Sequence, residues 1–332
     1  MKIAVDVMGF ENDISEAVYA CESFLKYYHD VEIILVGDET KITPFLKNDS
    51  SNKISVCHAE QFVTQDDSVL SLRTKNNSSM QITANLLKDG KVDGLLSAGN
   101  TAIFVYIMYA TIGMLDGVSK LGFMPTIPTV NNKCFNLIDV GASIDVTADD
   151  LVKFALMASV YAQQRTFSDP KVAILNIGTE HHKGRQLERD TDKLIKSKTK
   201  LNYVGFVESR NLLDGVADVV VTDGFSGNLV LKSLEGTAKS ISKFIKKEYK
   251  KPWNIFGKLT SILVFKKLKS TFDYKQNAGA FVLGLNKICV KTHGSADKQQ
   301  FYSSLTMLYN CIKNNVLNKI AMQIKKYNHE EK

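Results

Sequence analysis

The chain is poor in the residues that punctuate or staple small folds: five prolines and one tryptophan in 332 residues. It has five cysteines, Cys21, Cys57, Cys134, Cys289 and Cys311, an odd and scattered set with no C-x-x-C pair. That excludes a disulfide framework and a cysteine zinc site, and it fits a reducing cytosol. His181 and His182 are adjacent, which denies them the i,i+4 spacing of a helical metal pair, so no metal is expected. No run reaches the ~18 apolar residues of a spanning helix. The opening MKIAVDVMG meets Asp6 at once and reads as a strand, not a secretory leader. Two phosphate signatures are also missing. Met8-Gly9-Phe10 stands where G-x-G-x-x-G would follow the first strand, and no G-x-x-x-x-G-K-[ST] occurs.

Charge of one sign is concentrated in a single place. From Lys239 to Lys275 eleven lysines face only Glu248 and Asp273, whereas the whole chain carries a formal charge of +7. The remainder is near neutral, so the basic segment calls for a local partner and no nucleic acid is expected. The sequence from Lys247 to Lys269 holds Trp253, Ile255, Phe256, Leu259, Ile262, Leu263 and Phe265 among lysines. That composition suits a helix lying in a membrane headgroup plane, with Trp253, Leu259, Ile262 and Leu263 as contacts. A dimer contact or a core helix flanked by lysine stems is the alternative.

The stretch from Ala217 to Gly236, ADVVVTDGFSGNLVLKSLEG, organises the rest. A valine run gives a buried strand, Asp223 and Gly224 break it, and apolar residues then recur at helical spacing. The same grammar predicts strands at Lys2–Asp6, Val31–Val36, Ile54–Cys57, Val92–Ser97, Phe135–Val140, Val172–Ile177, Leu201–Phe206 and Ile288–Val290. Helices are predicted between most of them, one starting near Ser78 or Ser79 and one capped by Asp149 or Asp150 and running to Gln164. Pro125 and Pro128 make 123–129 a loop or edge. The economical architecture is α/β: a doubly wound, mostly parallel sheet with helices on both faces. It forms one domain over 1–332 with a basic, amphipathic helical excursion at 247–272.

Four turns are alike in kind: SAGNT (97–101), DVGAS (139–143), GTEHHKG (178–184) and DGFSGN (223–228). Each follows a predicted strand and most precede a helix, so they are expected on one edge of the sheet, around a shared anion. The last resembles a nucleophile elbow at Ser226, with Asn228 in place of its final glycine. His293 is the available partner, so a hydrolase is a minor reading.

The series MKIAVDVMG, ILVGDE, SSM, SAGNT, PTIPTV, DVGA, NIGTE with KG, GVADVVVTDGFSGN, LKSLEG and HGSAD spans nearly the whole chain. In this order it resembles the acyl-carrier-protein:phosphate acyltransferases (PlsX-type) of bacterial phospholipid synthesis. The resemblance implies reversible acyl transfer between an acyl-carrier-protein thioester and inorganic phosphate, in a homodimer at the inner face of the cell membrane. It also implies a downstream glycerol-3-phosphate acyltransferase as consumer and no cofactor. The family's MGGDN turn is here Gly9-Phe10-Glu11-Asn12, and its DVGAN ends in Ser143.

Phosphate is itself an anionic nucleophile and a thiolate leaves readily, so the enzyme has to supply positioning and oxyanion donors. Lys183, Asn228 and Asp223 are the catalytic candidates, Asp223 as an orienter of Lys183 or of a donor. Ser97, Gly99, Asn100, Thr101, Gly227 and His293 are the expected phosphate contacts. A decarboxylating dehydrogenase of similar architecture and a non-catalytic membrane scaffold remain the competing classes.

Overall fold

Short β-branched runs alternate with amphipathic helices along the chain, and the valine and isoleucine runs pair into one sheet. The structure, a computed structural model, describes residues 1–46, 52–164, 169–251, 260–265 and 279–329. The strands are β1 (Lys2–Asp6), β2 (Glu32–Gly37), β3 (Ile54–His58), β4 (Gly94–Ser97), β5 (Gly122–Pro128) and β6 (Cys134–Ile138). β7 (Lys171–Asn176), β8 (Asn202–Glu208), β9 (Val219–Val221), β10 (Ala280–Leu283) and β11 (Ile288–Lys291) follow. Their order across the sheet is β3-β2-β1-β4-β11-β10-β5-β6-β9-β7-β8. The main helices are α1 (Ile14–Leu25), α2 (Glu39–Ile42), α3 (Ser79–Lys88), α4 (Thr101–Ile112) and α5 (Ala148–Gln163). α6 (Gln186–Lys198), α7 (Gly224–Tyr249), α8 (Lys298–Lys313) and α9 (Val316–His329) complete them.

Strand alternation divides the core into layers. Ile3 and Val5 of β1 join one apolar cluster with α1, α5, α8 and α9, while Ala4 joins a second with α3 and α4. In the other half Val219 and Val221 face the first cluster and Val220 a third that meets α7. A period of two with apolar residues on both sides is what a sheet covered on both faces requires. The doubly wound α/β expectation is met.

The caps and prolines differ in detail. Ser78 caps α3 as expected. Thr147, not Asp149 or Asp150, caps α5, and Asp150 closes the box by accepting from the Thr147 N–H. Residues 122–128 are a central strand and not a loop, because β5 serves two partners in succession. It pairs with β10 from Gly122 to Pro125 and with β6 from Thr126 to Pro128. Each proline therefore ends a ladder, where its missing N–H costs least. Trp253 and Leu259, like most of the 247–272 excursion, lie outside the described residues; Ile262 and Leu263 lie within them.

Candidate active site

The four turns do not share one edge. β4 and β11 run parallel, β10 and β5 each reverse direction, and β6 is antiparallel to β5. The β6-β9-β7-β8 half therefore points opposite to the β3-β2-β1-β4-β11 half, and SAGNT is opposed to the other three turns. The divided pairing of β5 reunites them. Lys291 of β11 is level with Ala280 and Pro125, while Val140, just past β6, bonds the Phe123 carbonyl at 3.2 Å. The carboxyl ends of both halves thus meet beside residues 123–125. A cavity of about 1590 Å³ opens there, lined by Glu11, Thr101, Gly141, Asn228, Lys291 and His293. It extends along α7 past Leu234, Ala238 and Ile241 to Lys250.

On the β6–β9 side, backbone meets backbone. A Cβ on Gly227 would lie 1.8 Å from the Asp139 carbonyl oxygen, and one on Gly224 would lie 2.6 Å from that of Ser143. Gly227 therefore seats α7 on the DVGAS turn and is not among the residues lining the cavity. Asp139 is buried and gathers the N–H groups of Phe123, Gly141, Ala142 and Ser143. Burial pushes its carboxyl up to about 6 against the pull of those donors. The Ser143 hydroxyl donates to the Leu121 carbonyl at 2.8 Å. Asn228 keeps its place at the cavity wall.

Asp223 caps α7 through the Ser226 N–H, accepts the Ser226 hydroxyl at 2.8 Å, and pairs with Arg185. Burial alone would raise it, but Arg185 and Ser226 together hold it below the usual carboxylate range. So Asp223 orients Arg185 and not Lys183, whose side chain folds over Gly178 to Glu180 at 2.7 Å. Lys183 is not among the residues lining the cavity. The hydrolase pairing does not form either. Ser226 is engaged by Asp223, and His293 Nδ1 lies 2.9 Å from the Ser295 hydroxyl. Arg185 carries no motif of its own and is legible in the sequence only as the neighbour of Gly184.

On the other side the SAGNT turn is largely built into the protein. Ser97 donates to Asp6 at 2.8 Å and accepts from the Gly99 N–H at 3.1 Å. Asn100 caps α4, and its amide donates to the carbonyls of Gln65 and Asp67. Ser97, Gly99 and Asn100 thus shape the turn, and of this set Thr101 reaches the cavity. The altered first turn closes without strain, because Gly9 takes the positive φ of 71°. Phe10 packs edge-on against Phe301 at 5.2 Å, and the Glu11 N–H donates to the Gly294 carbonyl. His293 is held below its ordinary pKa by partial burial and by Lys232.

Two charged residues absent from the sequence expectations stand out here. Asp6 is buried at the end of β1, and Lys291 is buried at the end of β11 on the cavity wall. Burial raises Asp6 to about 6 and lowers Lys291 to about 7, with each partly restoring the charge of the other. A lysine closing an apolar strand, KICVK (287–291), is the signal available in the sequence.

Comparison with known proteins places this geometry. A family model described as "Fatty acid synthesis protein" matches residues 1–319. The phosphate acyltransferase of Ureaplasma parvum serovar 3 is 51% identical over 329 residues, covering 98% of both chains. A phosphotransacetylase from Streptococcus pyogenes superposes with a TM-score of 0.62 at 19% identity, covering 95% of this chain and 94% of that one. A 4-hydroxythreonine-4-phosphate dehydrogenase from Klebsiella pneumoniae, at 9% identity and a TM-score of 0.55, covers 94% of this chain and 99% of that one. The last two share the fold alone, and fold does not choose between acyl transfer and dehydrogenation. Near-full-length identity does: the chain belongs to the fatty acid synthesis protein family and is an acyltransferase.

Proposed function

We propose that the chain moves an acyl group reversibly from an acyl-carrier-protein thioester to inorganic phosphate. The acyl phosphate would feed phosphatidic acid synthesis through a glycerol-3-phosphate acyltransferase. The observation that carries this reading is the mixed lining of the cavity. Thr101, Asn228, Lys291 and His293 line it together with Phe123, Ile127, Leu213, Leu234 and Ile241. Cationic and hydrogen-bonding groups for a dianion beside apolar residues for an alkyl chain are what an acyl phosphate needs.

In this reading the phosphate oxygen attacks the thioester carbonyl. The carbon–sulfur bond breaks, and the electron pair leaves on sulfur as thiolate. No enzyme nucleophile is required, consistent with a Ser226 hydroxyl already committed to Asp223. Asn228 donates to the developing oxyanion. Lys183 joins it by exchanging Glu180 for substrate, at small cost because an exposed ion pair is worth about 0–1 kcal/mol. Arg185 keeps this turn against α7.

Lys232, Lys239, Lys243, Lys246 and Lys247 line the mouth along α7, a basic rim suited to an acidic carrier protein. A homodimer, a cytoplasmic location and contact with the inner membrane face complete the proposal. The test is incubation of pure protein with acyl carrier protein thioester and phosphate, trapping acyl phosphate as hydroxamate. Formation of hydroxamate only when both substrates are present is the expected result; thioester loss without it would replace acyl transfer by hydrolysis. Raising ionic strength should slow the carrier-protein donor steeply and a small thioester donor little.

A further inference from the structure

Asp6, Ser97 and Lys291 form one row across β1, β4 and β11, with Asp6 opposite Ser97 and Ser97 opposite Lys291. Their strand neighbours two residues back, Ala4, Leu95 and Cys289, all belong to the cluster under α3 and α4, so the three side chains leave the same face. Lys291 is 7% exposed and Asp6 is 1% exposed. Burying an ammonium is costly unless it is paired. Its register neighbours are Ser97 and Ala280, and its Nζ donates to the carbonyl of the next residue, Thr292. Asp6 acts on it through charge, and Asp6 itself is held by Ser97 and Ser79. The outer side of Lys291 is the cavity, where Thr101, His293 and Gln300 also stand.

We propose that Lys291 is the cation that holds inorganic phosphate in this site, with Asp6 as the positioning carboxylate behind it. The assignment rests on the phosphate acyl transfer proposed above and separates the work of two lysines. Lys291 binds the nucleophile, whereas Lys183 stabilises charge that develops during attack. The other charged groups on this part of the cavity wall are Glu11 beyond β1, His293 on its own loop, and Lys232 and Glu235 of α7. Lys291 is the one buried cation among the described residues that line the cavity, so a dianion there gains a charged partner that no exposed lysine of the wall offers as closely.

Burial lowers Lys291 to about 7, with Asp6 opposing the fall. Phosphate binding to the free site therefore takes up a proton above neutrality, and affinity falls as pH rises through about 7. Phosphate titrates in the same range, so an arginine at this position, charged at every pH used, separates the two effects.

The experiment is equilibrium dialysis of radiolabelled inorganic phosphate against the full-length protein from pH 6 to 9, paired with steady-state kinetics. Lys291→Met should weaken phosphate binding about 30-fold or more, the scale of removing one member of a buried charge pair, and leave the KM for thioester within ~3-fold. Lys291→Arg should retain binding and lose the part of the pH dependence that belongs to the lysine. Asp6→Asn should move the basic limb of phosphate binding downward in pH, since removing a nearby anion lowers the lysine further. Phosphate affinity within ~3-fold of wild type in Lys291→Met would overturn the assignment. Should that variant fail to melt cooperatively, a wild-type pH profile in Lys291→Arg would overturn it instead. Wild-type protein that binds phosphate through Lys291 but yields no acyl phosphate would remove the reaction and leave the anion site standing.

Discussion

At the scale of single residues, Asp6 and Lys291 pull stability in opposite directions across pH. Lys291 has a folded pKa of about 7 against an ordinary 10.5, so between those values the unfolded chain binds more protons and stability rises with pH. Asp6 has a folded pKa of about 6 against 3.8; there the folded chain binds more protons, and stability falls as pH climbs through that window. The pair thus costs the fold most between about pH 6 and 7, where both are charged. Asp6→Asn combined with Lys291→Met should melt at or above wild type, with its advantage greatest near pH 6–7 and shrinking on either side. Lower melting throughout that range would show that the pair is structural. Lys183→Ala probes the other lysine: turnover should drop ~100-fold, the scale of one lost oxyanion donor, with phosphate KM and melting temperature nearly unchanged. Turnover within a few-fold of wild type would leave Lys183 a solvated turn residue.

At the scale of elements, the close seat of α7 against the DVGAS turn rests on glycine. Gly227→Ala would drive a methyl to 1.8 Å from a backbone oxygen, an overpacking that costs about 1–3 kcal/mol. Gly236, on the same helix, is exposed, and a methyl added there would meet nothing within 4 Å. Gly236→Ala should stabilise by about 0.5–1 kcal/mol, and urea unfolding of the two variants should move in opposite directions. The same contrast explains what the sequence discloses. ADVVVTDGFSGN reads as strand, turn and helix because each signal is local: β-branched run, Asx cap, glycine. That Gly227 packs while Asn228 lines the cavity is decided by the distant Asp139–Ser143 turn, and no local pattern carries it. The reversal at β5 is hidden for the same reason. PTIPTV names two prolines, and only its pairing with β6, the next strand, and with β10, far along the chain, shows that each proline ends a ladder. Asn100 reads as a free donor in the sequence because its partners, the carbonyls of Gln65 and Asp67, lie on an unrelated loop.

At the scale of the whole molecule, charge and apolar exposure coincide at the far end of α7. The helix has 26 residues, of which only Gly224 and Gly227 are buried, so about 39 Å of it runs outward from the site. Phe244 is 64% exposed beside Lys243, Lys246 and Lys247. Past its end, Tyr249 meets Ser261 at 2.5 Å and stacks edge-on against Phe265, which turns Leu263 and Val264 outward at 74% and 70% exposure. No helix among the described residues is long and apolar enough to cross a membrane. Exposed phenylalanine, leucine and valine near the lysine-rich end of α7 suit a surface that rests in lipid headgroups, where each lysine contributes about 1 kcal/mol on an anionic bilayer. The cavity runs along this same helix, so under the proposed function and membrane contact an acyl phosphate leaving it would meet the bilayer before bulk water. Leu263→Glu with Val264→Glu should abolish co-sedimentation with phosphatidylglycerol vesicles and leave transfer from a small soluble thioester intact. Vesicle binding that survives the double substitution but dissolves in high salt would assign the contact to the lysines of α7 alone. Binding that survives both would place it on another face of the molecule.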